Sequence, residues 1–457
     1  MIRRALDYLT HWIALPTRKP LVIRGARQVG KTWLVRQFAE SMGLTLIEIN
    51  FEKRPDRADL FKSNEAQQIL IELNGALNCT INPTTSLLFL DEIQAAPTVL
   101  SKLRWFAEEY AQLPIIAAGS LLEFLLHDHV FSMPVGRITY MHLEPLSFEE
   151  FLLARDKKSL CDYVRKFQVE NDMPPSIHQD LSSLFREYVI VGGMPAAVSS
   201  WANTQSLQEV ATLQQDILAT YSDDFAKYRG RVAVERLYET MHAVPKLLGE
   251  KFVYSRVNAN AQPTSIKQSF DLLCRARICH RVSACFGNGV PLLAEIKEKY
   301  FKAIFLDVGL CSAALGISLS HIKSPEELIL INQGGLAEQV VGQLLRTTEP
   351  FYMQPSLFYW VRAKASSNAE IDYLFQHGNQ VIPVEVKAGS TGSMKSLHIF
   401  METKNYRIAA RVNNDLPSKT DVHIKSHDGK TVSYTLLSIP FYLTGQMARL
   451  LQDLLTH

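Results

Sequence analysis

The chain has 457 residues, 47% hydrophobic and 21% charged, which is enough apolar material for two to four globular domains. Its 48 basic and 46 acidic residues leave a net charge of +2, so bulk charge is excluded as a source of nucleic-acid affinity and any such contact needs a local patch. Six scattered cysteines without a Cys-x-x-Cys pair argue against a zinc ribbon or a disulfide framework. An N-terminus carrying Arg3, Arg4 and Asp7, and no apolar run of bilayer length, argue against a signal peptide and a membrane partner; the expectation is a soluble, cytoplasmic protein.

Residues 1–19 read as a lead-in helix, and Leu21 to Ile23 as a buried strand. Gly25-Ala26-Arg27-Gln28-Val29-Gly30-Lys31-Thr32 follows, and then Trp33 to Phe38 with helical spacing. Strand, glycine loop and helix form the context of a phosphate-binding loop. Its backbone N–H groups and the helix N-terminus face the phosphates of ATP, Lys31 reaches the β and γ phosphates, and the Thr32 hydroxyl binds Mg²⁺. Residues 44–51 read as a second strand and 60–77 as a helix. Leu87-Leu88-Phe89-Leu90-Asp91-Glu92 is an apolar strand ending in two carboxylates. Asp91 is expected to hold Mg²⁺ and Glu92 to polarise the attacking water, with Gln94 near the same water.

Residues 114–120 read as a further buried strand. Ser120 is either a sensor of the γ-phosphate, as in ATPases with an extra strand between the two motifs, or the N-cap of a following helix. Arg137 is either an arginine finger or a member of an intrachain ion pair. His127-Asp128-His129 reads as a polar loop rather than a metal site.

These segments, with Ala118-Gly119-Ser120, Gly136-Arg137 and Leu143-Glu144-Pro145-Leu146-Ser147-Phe148-Glu149-Glu150-Phe151, occur in an order that resembles a large family of prokaryotic AAA-type ATPases. The resemblance covers nearly the whole chain. It implies ATP hydrolysis, followed by a C-terminal region of unknown function.

Residues 146–230 read as a helical lid or connector, broken at Gly192-Gly193-Met194-Pro195. Residues 262–276 read as a helix capped by Thr264 or Ser265, with Ile266, Phe270, Leu273 and Cys274 buried. Residues 278–286 and 290–296 then read as a hairpin about Gly287-Asn288-Gly289. This order over 231–315 suggests a winged helix. Seven Lys/Arg against three acids in 261–302 suit phosphate contacts, with Lys267, Gln268 and Arg275 the candidates for DNA. Packing between domains is the equal alternative.

The last region, 325–457, begins with an amphipathic helix carrying Glu338, followed by strands at 357–362, 369–375 and 381–387, a helix, and a strand at 406–412. Alternation puts Glu370 and Asp372 on one face, and likewise Glu385 and Lys387. The arrangement resembles the restriction-endonuclease-like fold. That resemblance implies that Asp372 and Glu385 ligate Mg²⁺ or Mn²⁺, that Glu338 completes the site, and that Lys387 is the catalytic cation. The whole reads as an α/β protein: a P-loop parallel-sheet domain (1–145), the helical lid, the winged helix and the nuclease-like domain. Its expected function is an ATPase acting on DNA, compatible with a homo-oligomer, whose nucleotide state gates cleavage. The alternative is an ATP-controlled switch or DNA-binding module that does not cut.

Overall fold

The computed structural model describes residues 2–120, 134, 136–228, 232–316, 333–362, 369–389, 394–425 and 431–456. His127-Asp128-His129 and the helix expected after Ser120 lie outside these residues. Among the described residues the strands form two sheets.

The first sheet has strands β1 (Leu21–Arg24), β2 (Thr45–Asn50), β3 (Ser86–Asp91), β4 (Ile115–Ala118) and β5 (Thr139–His142), in the order β2-β3-β4-β1-β5. All its pairings are parallel. β3 and β4 are buried throughout, as runs of consecutive apolar residues demand when helices cover both faces. β4 lies between β1 and β3, which is the extra strand expected between the two motifs. The glycine loop leaves β1 and enters the helix Lys31–Ser41. The lead-in helix is confined to Ala5–Ala14, and the stretch expected as one helix over 60–77 is a short 3₁₀ segment, Pro55–Phe61, followed by a helix from Ala66 to Leu77.

Helices at Phe148–Ala154, Lys158–Lys166, Pro175–Val191, Pro195–Thr204 and Leu207–Asp224 follow. Ser147 and Glu150 form a reciprocal capping box that starts the first of them. The turn at Gly192-Gly193 is fixed from both sides. The Gly193 carbonyl accepts from Leu146 N at 2.7 Å, and its N–H donates to Asp307 Oδ2 at 2.6 Å. This places Pro195 against Gly30 of the phosphate-binding loop.

The second sheet adds β6 (Cys279–Cys285), β7 (Ile296–Phe305), β8 (Leu357–Val361), β9 (Glu370–His377), β10 (Gln380–Val386), β11 (Ile408–Asn413), β12 (Ser418–Lys425) and β13 (Thr431–Pro440), ordered β12-β13-β11-β10-β9-β8-β6-β7. The expected run of helix (Gln333–Thr348), β8, β9, β10, helix (Lys395–Lys404) and β11 is present. β8, β9 and β10 pair antiparallel in succession, and β11 pairs parallel with β10.

The hairpin differs from expectation. Its second strand is Ile296–Phe305, not 290–296, with the register Cys279↔Phe305 to Cys285↔Ile296. Pro291 has no N–H to give a ladder, and a 3₁₀ turn fills Leu292–Glu295. β6 also pairs parallel with β8, so the boundary expected between 315 and 325 falls inside one sheet. The helix ahead of the hairpin, Pro263–Arg275, starts with Pro263 at its first position and Gln262 as N-cap. Neither Thr264 nor Ser265 caps it. After β13 come a 3₁₀ turn, Phe441–Gln446, and a helix from Met447 to Thr456. Among the described residues no helix is long and apolar enough to cross a membrane.

Candidate functional site

The phosphate-binding loop is built where it was expected. Gly30 has φ +91°, a conformation that only glycine adopts without strain, and a Cβ at Gly25 would lie 2.6 Å from the Leu143 carbonyl oxygen. Lys31 is buried and donates to the Gly25 and Ala26 carbonyls at 3.0 and 2.8 Å. Burial depresses its pKa to about 8, with the Glu92 and Asp91 charges opposing the shift. Thr32 Oγ1 lies 3.2 Å from Asp91 Oδ2, and Asn50 Nδ2 donates to the same oxygen at 3.1 Å. Burial, with Glu92 alongside, raises the Asp91 pKa. A hydroxyl and a carboxylate at this spacing are the hard oxygen donors that Mg²⁺ prefers.

Glu92, Gln94 and Ser120 come together at the ends of β3 and β4. The Glu92 carboxylate is bonded by the Gln94 side-chain amide and accepts from Ser120 Oγ at 3.4 Å. Glu92 sits at φ 49°, ψ 45°, a left-handed conformation that costs a residue with a side chain about 1–3 kcal/mol and recurs at functional positions. Gln94 Oε1 is buried without a hydrogen-bond partner.

Arg27 and Gln28 belong to the expected loop, but the residues that hold the loop, Asp224, Tyr221, Thr220 and Arg3, carried no sequence signal. Arg27, at the crest of the loop, bonds both oxygens of Asp224 at 2.6 and 2.8 Å, and Tyr221 donates to the Arg27 carbonyl at 3.0 Å. Gln28 at φ 65° reaches Thr220 at 3.4 Å. Arg3 donates to the Val29 carbonyl at 3.2 Å and pairs with Glu150 at 3.1 Å. A cavity of about 290 Å³ opens beside Gly30 and Trp33, closed on its far side by Pro195, Ala196 and Ser199. Only the Gly-Gly-Met-Pro break hinted at that wall. Arg137 is half exposed and pairs with Glu108 at 2.7 Å, which is the ion-pair alternative for it.

The C-terminal carboxylates also converge, but on a lysine. Lys302 of β7 is 3% exposed at its side chain, with its ammonium 2.9 Å from Glu338 and 3.8 Å from Asp372, and paired with Glu370 as well. Lys387 closes on Glu385 at 2.6 Å, and Asp372 Oδ2 accepts from Val386 N at 2.8 Å. Burial first and Asp372 second raise the pKa of Glu338 to about 8 and of Glu385 to about 7. The carboxylates raise the pKa of Lys302 against the effect of its own burial.

Glu338, Asp372 and Glu385 are the residues expected to form a metal site. The cation at its centre belongs to the chain, and among the described residues no group of three or more His, Cys, Asp or Glu side chains is placed to hold a metal. Lys302 was counted with the phosphate-binding excess of 261–302, and so was Arg277. Both are buried, and Arg277 pairs with Glu144 at 3.6 Å and donates to His142 Nδ1 at 2.8 Å. Lys267 and Gln268 are exposed on the outer face of their helix, and Arg275 is half-buried.

Comparison with known proteins finds likenesses for three segments of the chain. Residues 17–152 match the family model described as an AAA domain. Residues 182–321 and 333–435 match two domains of unknown function, DUF8612 and DUF4143. No curated protein matches the chain. Among solved structures, it is similar to a Walker-type ATPase of Pyrococcus abyssi, with 14% identity and a TM-score of 0.42 over 69% of this chain and 95% of that one. It is also similar to the ORC2 protein of Aeropyrum pernix in ADPNP–ADP complexes, with 12% identity and a TM-score of 0.34 over 68% of this chain and 90% of that one. A third likeness is AMPPCP-bound DnaA of Aquifex aeolicus, with 12% identity and a TM-score of 0.26 over 59% and 85%. All three likenesses are distant.

Proposed function

We propose that this protein binds ATP at Gly25–Thr32 and hydrolyses it, with Glu92 as the group that orients and activates water. The observation that carries this reading is the placement of Glu92. Its carboxylate stands at the end of β3, bonded by Gln94 and Ser120, one residue beyond the Asp91 that meets Thr32. A general base needs such neighbours to fix its direction before the substrate arrives. Lys31 would exchange the Gly25 and Ala26 carbonyls for the β and γ phosphates. Thr32 and Asp91 would hold Mg²⁺, which neutralises phosphate charge. The cavity beside Pro195 has room for a nucleoside.

The other parts follow from the same reading. The helical segment 146–230 acts as a lid, because its Asp224 and Pro195 already touch the loop. The exposed Lys267 and Gln268 are the candidates for DNA contact. For the C-terminal domain, the buried Lys302 among the carboxylates favours a regulatory or binding module over a nuclease, since those acids are already matched by an internal cation.

The test is nucleotide titration and phosphate release with wild type and Lys31→Ala. Wild type binds ATP and releases phosphate. The variant binds at least tenfold more weakly and releases none. Equal affinity in the two proteins would place ATP elsewhere.

A further inference from the structure

A second cavity of about 290 Å³ lies between the helix Pro263–Arg275, β6 and the segment leading into β8. Four guanidiniums line it: Arg275, Arg277, Arg281 and Arg346. No carboxylate is among its lining residues. Two acids outside the lining, Glu144 and Asp271, pair with guanidiniums of this set. Glu144 meets Arg346 at 2.8 Å and Arg277 at 3.6 Å, and Asp271 meets Arg281 at 2.8 Å.

His280 also lines the cavity and is 7% exposed, yet its Nε2 makes no hydrogen bond. The nearest carboxylate oxygen, on Glu144, is 4.0 Å away. A buried polar nitrogen without a partner pays its full desolvation penalty, so native proteins seldom keep one without a use. Leu293, Ile296 and Phe358 give the rest of the wall an apolar character.

We infer that this cavity binds a phosphate-bearing ligand. The argument is one of matched chemistry. Guanidinium forks meet phosphate oxygens two at a time, and several arginines around one space are the usual means of holding that group. The His280 ring is neutral because burial and Arg346 oppose its charging, and a neutral imidazole offers one N–H or one acceptor to the ligand. The volume suits a mononucleotide-sized phosphate ester, or one backbone phosphate of a nucleic acid whose neighbours rest on the exposed Gln354 and Ser356 at the mouth. This goes beyond ATP hydrolysis at the first site and does not depend on it.

The experiment uses the full chain carrying Lys31→Ala, so that the first site does not bind the probes. Inorganic phosphate, AMP and a short DNA duplex are titrated calorimetrically at matched ionic strength. Arg281→Gln and Arg275→Gln are made in that background, both at partly exposed positions, with the exposed Lys158→Gln as a control outside the cavity. Circular dichroism checks that each variant folds. At least one probe binds with one-to-one stoichiometry, binding weakens at least tenfold in Arg281→Gln or Arg275→Gln, and Lys158→Gln leaves it unchanged. If phosphate or AMP binds and DNA does not displace it, the ligand is a small ester. If DNA binds and phosphate competes, the ligand is a backbone phosphate. The inference is overturned if no probe binds, or if both cavity variants bind as the parent does, or if Lys158→Gln weakens binding as much as they do.

Discussion

Replacing Lys302 with Met removes the ammonium but keeps the volume of the stem, so packing is largely conserved. Three carboxyls then face one another. Glu338 is already raised to about 8 and stays protonated at pH 7, and Glu370, about a third exposed, can turn to water. Asp372 is left buried beside them. Holding a carboxyl of ordinary pKa near 4 in its protonated form costs about 1.4 kcal/mol per pH unit above that value, hence about 4 kcal/mol at pH 7 and about 1.5 kcal/mol at pH 5. The first figure falls within the range of about 3–5 kcal/mol seen when one partner of a buried ion pair is removed. For a unit of this size each kcal/mol moves the thermal midpoint by about 2–4 °C. Lys302→Met should therefore lower the midpoint by about 8–16 °C at pH 7 and by about 3–6 °C at pH 5, followed by circular dichroism. Mn²⁺, added in the Asp91→Asn background so that the first site is silent, should raise the midpoint of Lys302→Met and leave that of the parent unchanged. An equal loss at both pH values would refute the charge argument. Stabilisation of the parent by Mn²⁺, abolished by Asp372→Asn, would refute the assignment of Lys302 as the cluster's cation.

Arg137→Ala should change ATP turnover less than about twofold, because the exposed Arg137–Glu108 pair lies on the surface; a hundredfold loss, restored by mixing with Lys31→Ala protein, would establish a role across subunits. The histidines beside Glu144 should make the fold acid-sensitive. Burial and then Arg277 depress His142 to about 3, and His280 is pushed well below its ordinary value. A base with a lowered folded pKa contributes its full stability above its unfolded value near 6.5 and loses it as pH falls, by up to about 1.4 kcal/mol per unit for each histidine. Glu338 and Glu385 act in the opposite sense, so the comparison is between wild type and His142→Gln from pH 7.5 to 5; the variant's midpoint should fall less steeply, and parallel curves would contradict the account.

The first site was legible because its chemistry is local. Five residues separate Gly25 from Lys31, and Asp91 and Glu92 end one apolar strand, so spacing alone places each group. The partners that hold the site were not legible. Asp224 reaches Arg27 across 197 positions and Arg3 meets Glu150 across 147, and no period or motif marks such contacts. The same limit applies at the C-terminal cluster. Glu338, Asp372 and Glu385 share one neighbourhood, where the resemblance alone had grouped them. The charge that faces them comes from Lys302, on a strand whose start the sequence placed six residues early. With that strand assigned to a separate hairpin, Lys302 read as a surface cation. In the sheet it is buried against three acids.

The claim at the centre of this account is that Glu92 activates water at the ATP site. The direct measurement is ATP affinity and single-turnover phosphate release for wild type and Glu92→Gln under the same conditions. Loss of a general base lowers the rate by roughly a hundredfold or more. The account predicts ATP affinity within about threefold of wild type and hydrolysis slowed by that factor. Hydrolysis at the wild-type rate with unchanged affinity would contradict it.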